Sequence, residues 1–133
     1  MRIARHKNTL LSSAGPLAVD TNGTTYRVET QPGAEVDEAE LDVRFYVGWT
    51  QADGATSPTS QVVIQHSPDG VTWVTLVSGT QLTASGSQAQ VLDSTSISLM
   101  PFVRAILDVG GGTAPNVTNL VAYMLSNSPL TLR

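Results

Sequence analysis

Apolar and polar positions alternate most cleanly over residues 41–49. Leu41, Val43, Phe45, Val47 and Trp49 fall on one side, and Asp42, Arg44, Tyr46 and Gly48 on the other. A period of two marks a half-buried antiparallel strand with one face on a core. Residues 61–77 read as a β-hairpin. Val62, Val63 and Ile64 favour a strand, and Ser67-Pro68-Asp69-Gly70 supplies the turn. There Pro presets φ, Asp bonds its own backbone and Gly accepts positive φ. The expected return arm sets Val71, Trp73, Thr75 and Val77 against Thr72, Val74 and Leu76. Residues 102–109 alternate again, with Val103, Ala105, Leu107 and Val109 forming a wholly apolar face. Residues 117–125 close the series, with Val117, Val121, Tyr123 and Leu125 expected on one side.

Weaker signals place short strands at 25–30, 89–92 and 97–100, separated by turn-forming stretches at 20–24, 31–33, 52–60, 78–87, 110–116 and 126–129. The pattern predicts six to eight strands and no helix. This is an all-β chain, an antiparallel β-sandwich of which the jelly roll is one form. The expected organisation is an extended N-terminal arm over 1–19, a sandwich domain over 20–126 and a C-terminal tail over 127–133. The first segment reads either as a mobile tail or as an arm ordered on a neighbouring subunit, and Leu10 and Leu11 favour the arm. Leu130 and Leu132 fit a tail lying on a partner.

A length of 133 residues allows one domain with a real core. Charged residues make up only 14% of it, against about 25% in typical soluble domains. Ser, Thr, Gln and Asn supply the polar surface instead, which suits strands better than exposed helices. Net charge is −4 and Lys7 is the sole lysine, so no basic stripe exists to neutralise phosphates and direct nucleic-acid binding is not expected. With no cysteine, disulfides and thiolate metal sites are excluded. No run approaches the ~18 apolar residues of a spanning helix, and the first residues lack the apolar stretch of a secretory signal. Asn22-Gly-Thr24 and Asn116-Val-Thr118 match the glycosylation pattern but read as ordinary loop residues.

Candidate chemistry is sparse. Glu35, Asp37, Glu38, Glu40 and Asp42 cluster without the spacing of a calcium loop, so a solvated face or a patch for a basic partner is the better reading. His66 lies beside Ser67 and Asp69, but no strained nucleophile turn accompanies them, and the serine and aspartate suit local turn bonding. Asp93 and Asp108 are a thin basis for glycoside hydrolysis in a chain with two Trp, three Tyr and two Phe. The Gly110–Gly112 run is followed by no Gly-Lys-Ser/Thr and no expected helix, so it reads as a loop. Neither a metal nor a cofactor is expected, and the chain reads as a non-enzyme. Trp73 is expected to plug the core behind its turn. The alternative for Trp49 and Trp73 is an exposed platform for sugar stacking or a protein-contact hot spot.

The stretch Ser67-Pro-Asp-Gly-Val-Thr-Trp73 resembles the Ser-x-Asp-Gly-x-x-Trp hairpin of many sandwich domains, among them discoidin-like sugar-binding modules and small structural proteins of tailed bacteriophages. In its shortness, lack of cysteine, poverty in lysine and richness in Thr, Ser and Gly, the chain is similar to phage head decoration (cement) proteins. That resemblance implies a location on the outer capsid surface, a major capsid protein as partner, and dimers or trimers that brace contacts between capsomers. It implies contact through Arg2, Arg5, Lys7, Leu10, Leu11, Leu130 and Leu132 on the two ends of the chain. On this view, removing residues 1–11 weakens attachment and leaves the domain folded. The alternatives are a carbohydrate-binding β-sandwich module and a phage tail or fibre accessory domain.

Overall fold

The computed structural model describes residues 6–28, 43–52, 58–93, 99–111, 116–126 and 130–132. They form ten strands and no helix: β1 (His6–Ser13), β2 (Thr21–Asn22), β3 (Tyr26–Val28), β4 (Val43–Gln51), β5 (Pro58–Ser67), β6 (Val74–Ser78), β7 (Gly86–Asp93), β8 (Phe102–Gly111), β9 (Val117–Ser126) and β10 (Leu130–Leu132). One antiparallel sheet runs β1-β9-β4-β7. The other runs β10-β3-β8-β5-β6, with the short β2 also against β8.

The pairings nest. β5 pairs with β6, β4 with β7, β3 with β8 and β1 with β9, each pair enclosing the one before it in sequence. β4–β9 and β5–β8 contacts then close each sheet. A folded-over ribbon of four nested pairs, wound into two facing sheets, is the jelly roll. The sandwich expected from the alternation is therefore present, and its topology is the rolled one.

Both inner faces are built from the strongly alternating strands. Val43, Phe45, Val47 and Trp49 of β4 meet Val62 and Ile64 of β5 and Val103, Ala105 and Leu107 of β8, all buried. Three bulges depart from simple alternation. Between Thr9 and Leu11 the β1 register slips by one residue against β9, so Leu10 and Leu11 both turn inward. The register also shifts between Gly48 and Thr50, where Asn119 on β9 has φ of 52°. Two β9 residues there oppose the single Trp49, which reverses the phase of the strand. Hence Leu120, Ala122 and Met124 are buried, while Val121, Tyr123 and Leu125 face outward, contrary to the simple alternation expected for 117–125. A third bulge at Leu76 turns both Leu76 and Val77 towards the core.

Other expectations also change. Residues 6–13 are not an arm but an edge strand of this domain, and Leu10 and Leu11 lie in its core. The C-terminal tail likewise holds β10, whose Leu130 and Leu132 stand opposite Val28 and Tyr26 in backbone register. Residues 99–100 are not a strand, although Leu99 packs against the core. The acidic stretch 35–42 lies outside the described residues.

Hydrogen bonds join the two sheets at several points. The Trp49 indole nitrogen donates to Ser60 Oγ across the sandwich at 2.9 Å, with both residues buried. Gly79 leaves room for that ring, since a Cβ there would stand 2.9 Å from Trp49 Cη2. On another side, the Gly23 amide donates to Ala105 O at 2.7 Å and the Thr24 amide to Leu10 O at 2.9 Å. A Cβ at Gly23 would collide with Leu10 O and lie 2.7 Å from Ala105 O, so only glycine fits between the two backbones.

Ser60→Ala strands the buried indole donor and is expected to cost about 1–3 kcal/mol, read from urea unfolding. Leu10→Ala opens a core cavity and is expected to cost about 2–5 kcal/mol. A fully stable Leu10→Ala variant would mean that β1 is not part of the cooperative fold.

Candidate interaction surface

The outer face of the four-stranded sheet is laid out by register. One row runs Lys7–Leu125–Arg44–Asp93, the next Thr9–Tyr123–Tyr46–Val91, and a third Ser12–Val121–Gly48–Ala89. Each outward residue follows from period-two alternation once the two bulges are included. Tyr46 and Tyr123 are cross-strand neighbours with ring centroids 6.0 Å apart and planes at 18°. Gly48 explains how Tyr46 lies: Tyr46 Cε1 and a Val121 methyl stand 3.7 and 3.5 Å from where a Gly48 Cβ would be. The ring therefore leans over the glycine and covers its backbone, leaving an offset aromatic pair along the sheet.

Lys7 Nζ sits 4.6 Å from the centre of the Tyr123 ring, a cation held over a π-face. Val91 ends the tyrosine row at the sheet edge and is 61% exposed. Among the described side chains, the charges on this face are Lys7 and Arg44, both positive. The surface is thus a shallow aromatic and aliphatic stripe with Lys7 at its flank. It can bury apolar area against a flat partner and set Lys7 beside a carboxylate, the chemistry of a protein contact.

The hairpin turn carries a different constellation. Asp69 Oδ1 accepts the amides of Val71 and Thr72, each at 2.8 Å, and the Ser67 hydroxyl at 2.9 Å. Ser67 Oγ in turn accepts the Gly70 amide at 2.8 Å. These bonds occupy the amides of 71 and 72, so β6 begins only at Val74 rather than at Val71. They also stabilise the ionised carboxylate, lowering the Asp69 pKa from 3.8 to about 2, with the Thr72 and Val71 amides the chief causes. His66 lies on the opposite face of β5 from Ser67, buried, with Nδ1 accepting the Met100 amide at 3.2 Å. Burial lowers its pKa below 6.5. Ser67 and Asp69 thus hold the turn, and His66 anchors the approach to β8.

Of the two tryptophans, Trp49 lies on the core face of β4 as the alternation expects, and Trp73 does not plug the core. Trp49 is the buried plug. Trp73 is not in the core but half-buried on the outer face of the six-stranded sheet, beneath the Arg104 guanidinium at 4.3 Å. Gln65 Oε1 accepts from Arg104 Nε at 2.9 Å and steadies that cover. The turn bonds set Trp73 just before β6, outside the inward positions of that strand.

Of the residues expected to bind a partner, only Lys7 has its side chain on the described surface. Leu10 and Leu11 are in the core, Leu130 and Leu132 belong to β10, and Arg2 and Arg5 lie outside the described residues. Removing residues 1–11 would therefore take away part of a core strand, so the domain would not be left intact. Asp93 ends β7 in one sheet, whereas Asp108 points outward from β8 in the other. Among the described residues no three His, Asp or Glu side chains gather as metal ligands. The tyrosine pair went unnoticed in the sequence, although the cleanest strand already placed Tyr46 opposite its core face and two residues from Gly48.

Acidification is expected to destabilise the fold in two windows. His66 is held neutral in the folded state, so its contribution is complete above pH 6.5 and is lost as pH falls through its lowered folded value. Asp69 contributes fully above about pH 4 and loses that contribution as pH falls to about 2. In thermal melts, Asp69→Ala should lower Tm at pH 7 by an amount that shrinks towards pH 2. A Tm difference independent of pH would show that the carboxylate charge does not hold the turn.

No protein-family profile and no curated protein sequence matches this chain. Among solved structures, the PBSX exported protein XepA is similar in fold, with a TM-score of 0.50 and 13% identity over 95% of this chain. The chain spans 38% of the length of that protein. The VP2 subviral particle of infectious bursal disease virus aligns with a TM-score of 0.44 and 9% identity, covering 92% of this chain and 32% of VP2. At such identities the likeness to XepA is one of fold.

Proposed function

We propose that this chain is a non-enzymatic structural protein of a virion, a decoration protein that binds the outer surface of a phage capsid and bridges its capsomers. The observation that carries this reading is the outer-face row Thr9–Tyr123–Tyr46–Val91 of the four-stranded sheet, with Lys7 from the neighbouring row over the Tyr123 ring. Paired tyrosines with Lys7 at their flank suit a broad contact, in which rings supply buried area and the lysine meets an acidic group of the shell protein. Jelly rolls are recurrent in viral capsids, which supports the reading at the level of architecture. Many weak copies on one particle would hold together through multivalency.

A second reading rests on the same tyrosines. Near-parallel rings on an exposed sheet also suit the apolar faces of sugars, and lectins share this architecture. Trp49 is removed from that reading by its burial, and one face of Trp73 is covered by Arg104.

Co-sedimentation with capsids separates the two. Tyr46→Ala and Tyr123→Ala are each expected to weaken capsid binding about tenfold or more, equivalent to about 1.4 kcal/mol, while thermal stability shows that the fold is retained. Wild-type binding by both variants would overturn the proposed surface. Saturable quenching of tyrosine fluorescence by oligosaccharides, with no capsid binding, would favour the glycan reading.

A further inference from the structure

A β-sandwich must deal with its sheet edges, because an open edge offers unpaired amides and carbonyls to any strand that arrives. Three of the edges here are short or interrupted. β1 carries Lys7 and a bulge at Leu10, and the carbonyls of Thr9 and Leu10 are taken by the Tyr26 hydroxyl and the Thr24 amide. β6 has five residues and a bulge. On the far side of the six-stranded sheet, β10 and β2 have three and two residues.

β7 is different. It has eight residues in unbroken register with β4, from Gly86 opposite Gln51 to Asp93 opposite Arg44. Residues 86–92 read Gly-Ser-Gln-Ala-Gln-Val-Leu, without a proline, a lysine or any charge. Among the described residues, no strand pairs with its other side. Gln90 holds the inner side of β7 in place, accepting the Thr80 amide and donating to the Thr80 hydroxyl, each at 2.8 Å. Val91, 61% exposed, brings the apolar tyrosine row right up to this edge.

We propose that β7 is a homodimer edge: two copies pair β7 antiparallel to β7 about a two-fold axis beside Ala89, giving one continuous eight-stranded sheet. A second copy fits this edge for three reasons. An antiparallel pair of identical strands is self-complementary about a two-fold axis, and such closed symmetry is the commonest way to satisfy one open edge per molecule. The stretch is neutral, so two chains of net charge −4 can meet here without opposing like charges at the contact. With Ala89 on the axis, odd-numbered residues oppose odd-numbered ones. The outer face then continues across the junction, Val91 lies opposite Ser87 of the second copy, and both tyrosine pairs look out on the same side. This arrangement does not rest on the capsid reading, although it would double the surface proposed there.

The test uses the isolated full-length protein, so its failure and that of the capsid reading are separable. Edge pairing over about seven residues is a small interface, so a dissociation constant of about micromolar to tens of micromolar is expected. Sedimentation equilibrium should show the 14.0 kDa chain passing to twice that mass as concentration rises through this range. The double variant Ala89→Lys with Val91→Lys changes two exposed outer-face side chains and should sediment as a monomer with unchanged circular dichroism. Since the chain has no cysteine, Ala89→Cys provides an independent arm: oxidation should give a disulfide-linked dimer at least tenfold faster than Thr72→Cys in the exposed turn. A protein that stays monomeric to about 1 mM would overturn the proposal. So would a dimer that tolerates the lysines, or one whose Ala89→Cys variant cross-links no faster than the control.

Discussion

The hydrogen bond from Trp49 to Ser60 is the interaction on which the sandwich most depends. An indole buried between two sheets contributes a large apolar area, but only if its N–H finds an acceptor there. The acceptor comes from β5 of the opposite sheet, so the bond fixes the lateral position of one sheet over the other as well as satisfying the donor. Its surroundings are adjusted to the ring. Gly79 clears space at its far end, and the bulge at Asn119 sets two β9 residues against the single position that Trp49 occupies on β4. Gly23 does the complementary task with backbone alone, bonding one sheet while its neighbour bonds the other.

With the sheets so fixed, their outer faces have distinct characters. The six-stranded sheet covers Trp73 with Arg104 and Gln65, and so spends its aromatic surface within the molecule. The four-stranded sheet leaves Tyr46 and Tyr123 side by side, with Lys7 over the Tyr123 ring. The difference arises locally. Gly48 offers a bare patch of backbone on which Tyr46 lies down, whereas the Asp69 turn delivers Trp73 next to a guanidinium. Lightly charged and aromatic, the four-stranded face has apolar area to gain from covering by a partner.

Strong alternation was enough to identify the buried faces of β4 and β8, because nothing interrupts their period of two. It failed where one residue breaks the period. Nothing in Leu120-Val-Ala-Tyr-Met-Leu125 reveals that Asn119 takes a left-handed conformation, and without that step the inward and outward residues of β9 are exchanged. The same limit concealed Leu10 and Leu11. An adjacent pair of leucines near a chain end looks like a sticky arm, and only a bulge lets both enter one core. The Ser67–Asp69 turn was legible because its bonds are local. Tyr123 beside Tyr46 was not, since that contact depends on a pairing between strands far apart in sequence.

The nested order of strand pairs also imposes an order in time. The innermost pair, β5 with β6, closes across a short turn and loses little chain entropy in doing so. The outermost pair sets His6 opposite Ser126, joining the first described residue to one near the other end of the chain. Such distant partners are slow to meet, and β1 has its edge to join only once β9 is there. During synthesis β1 therefore emerges before its partner, and its leucines stay uncovered until β9 has been made. Of the four nested pairs the outermost spans the most chain, and until it closes Leu10 and Leu11 are hydrophobic surface that a chaperone would meet.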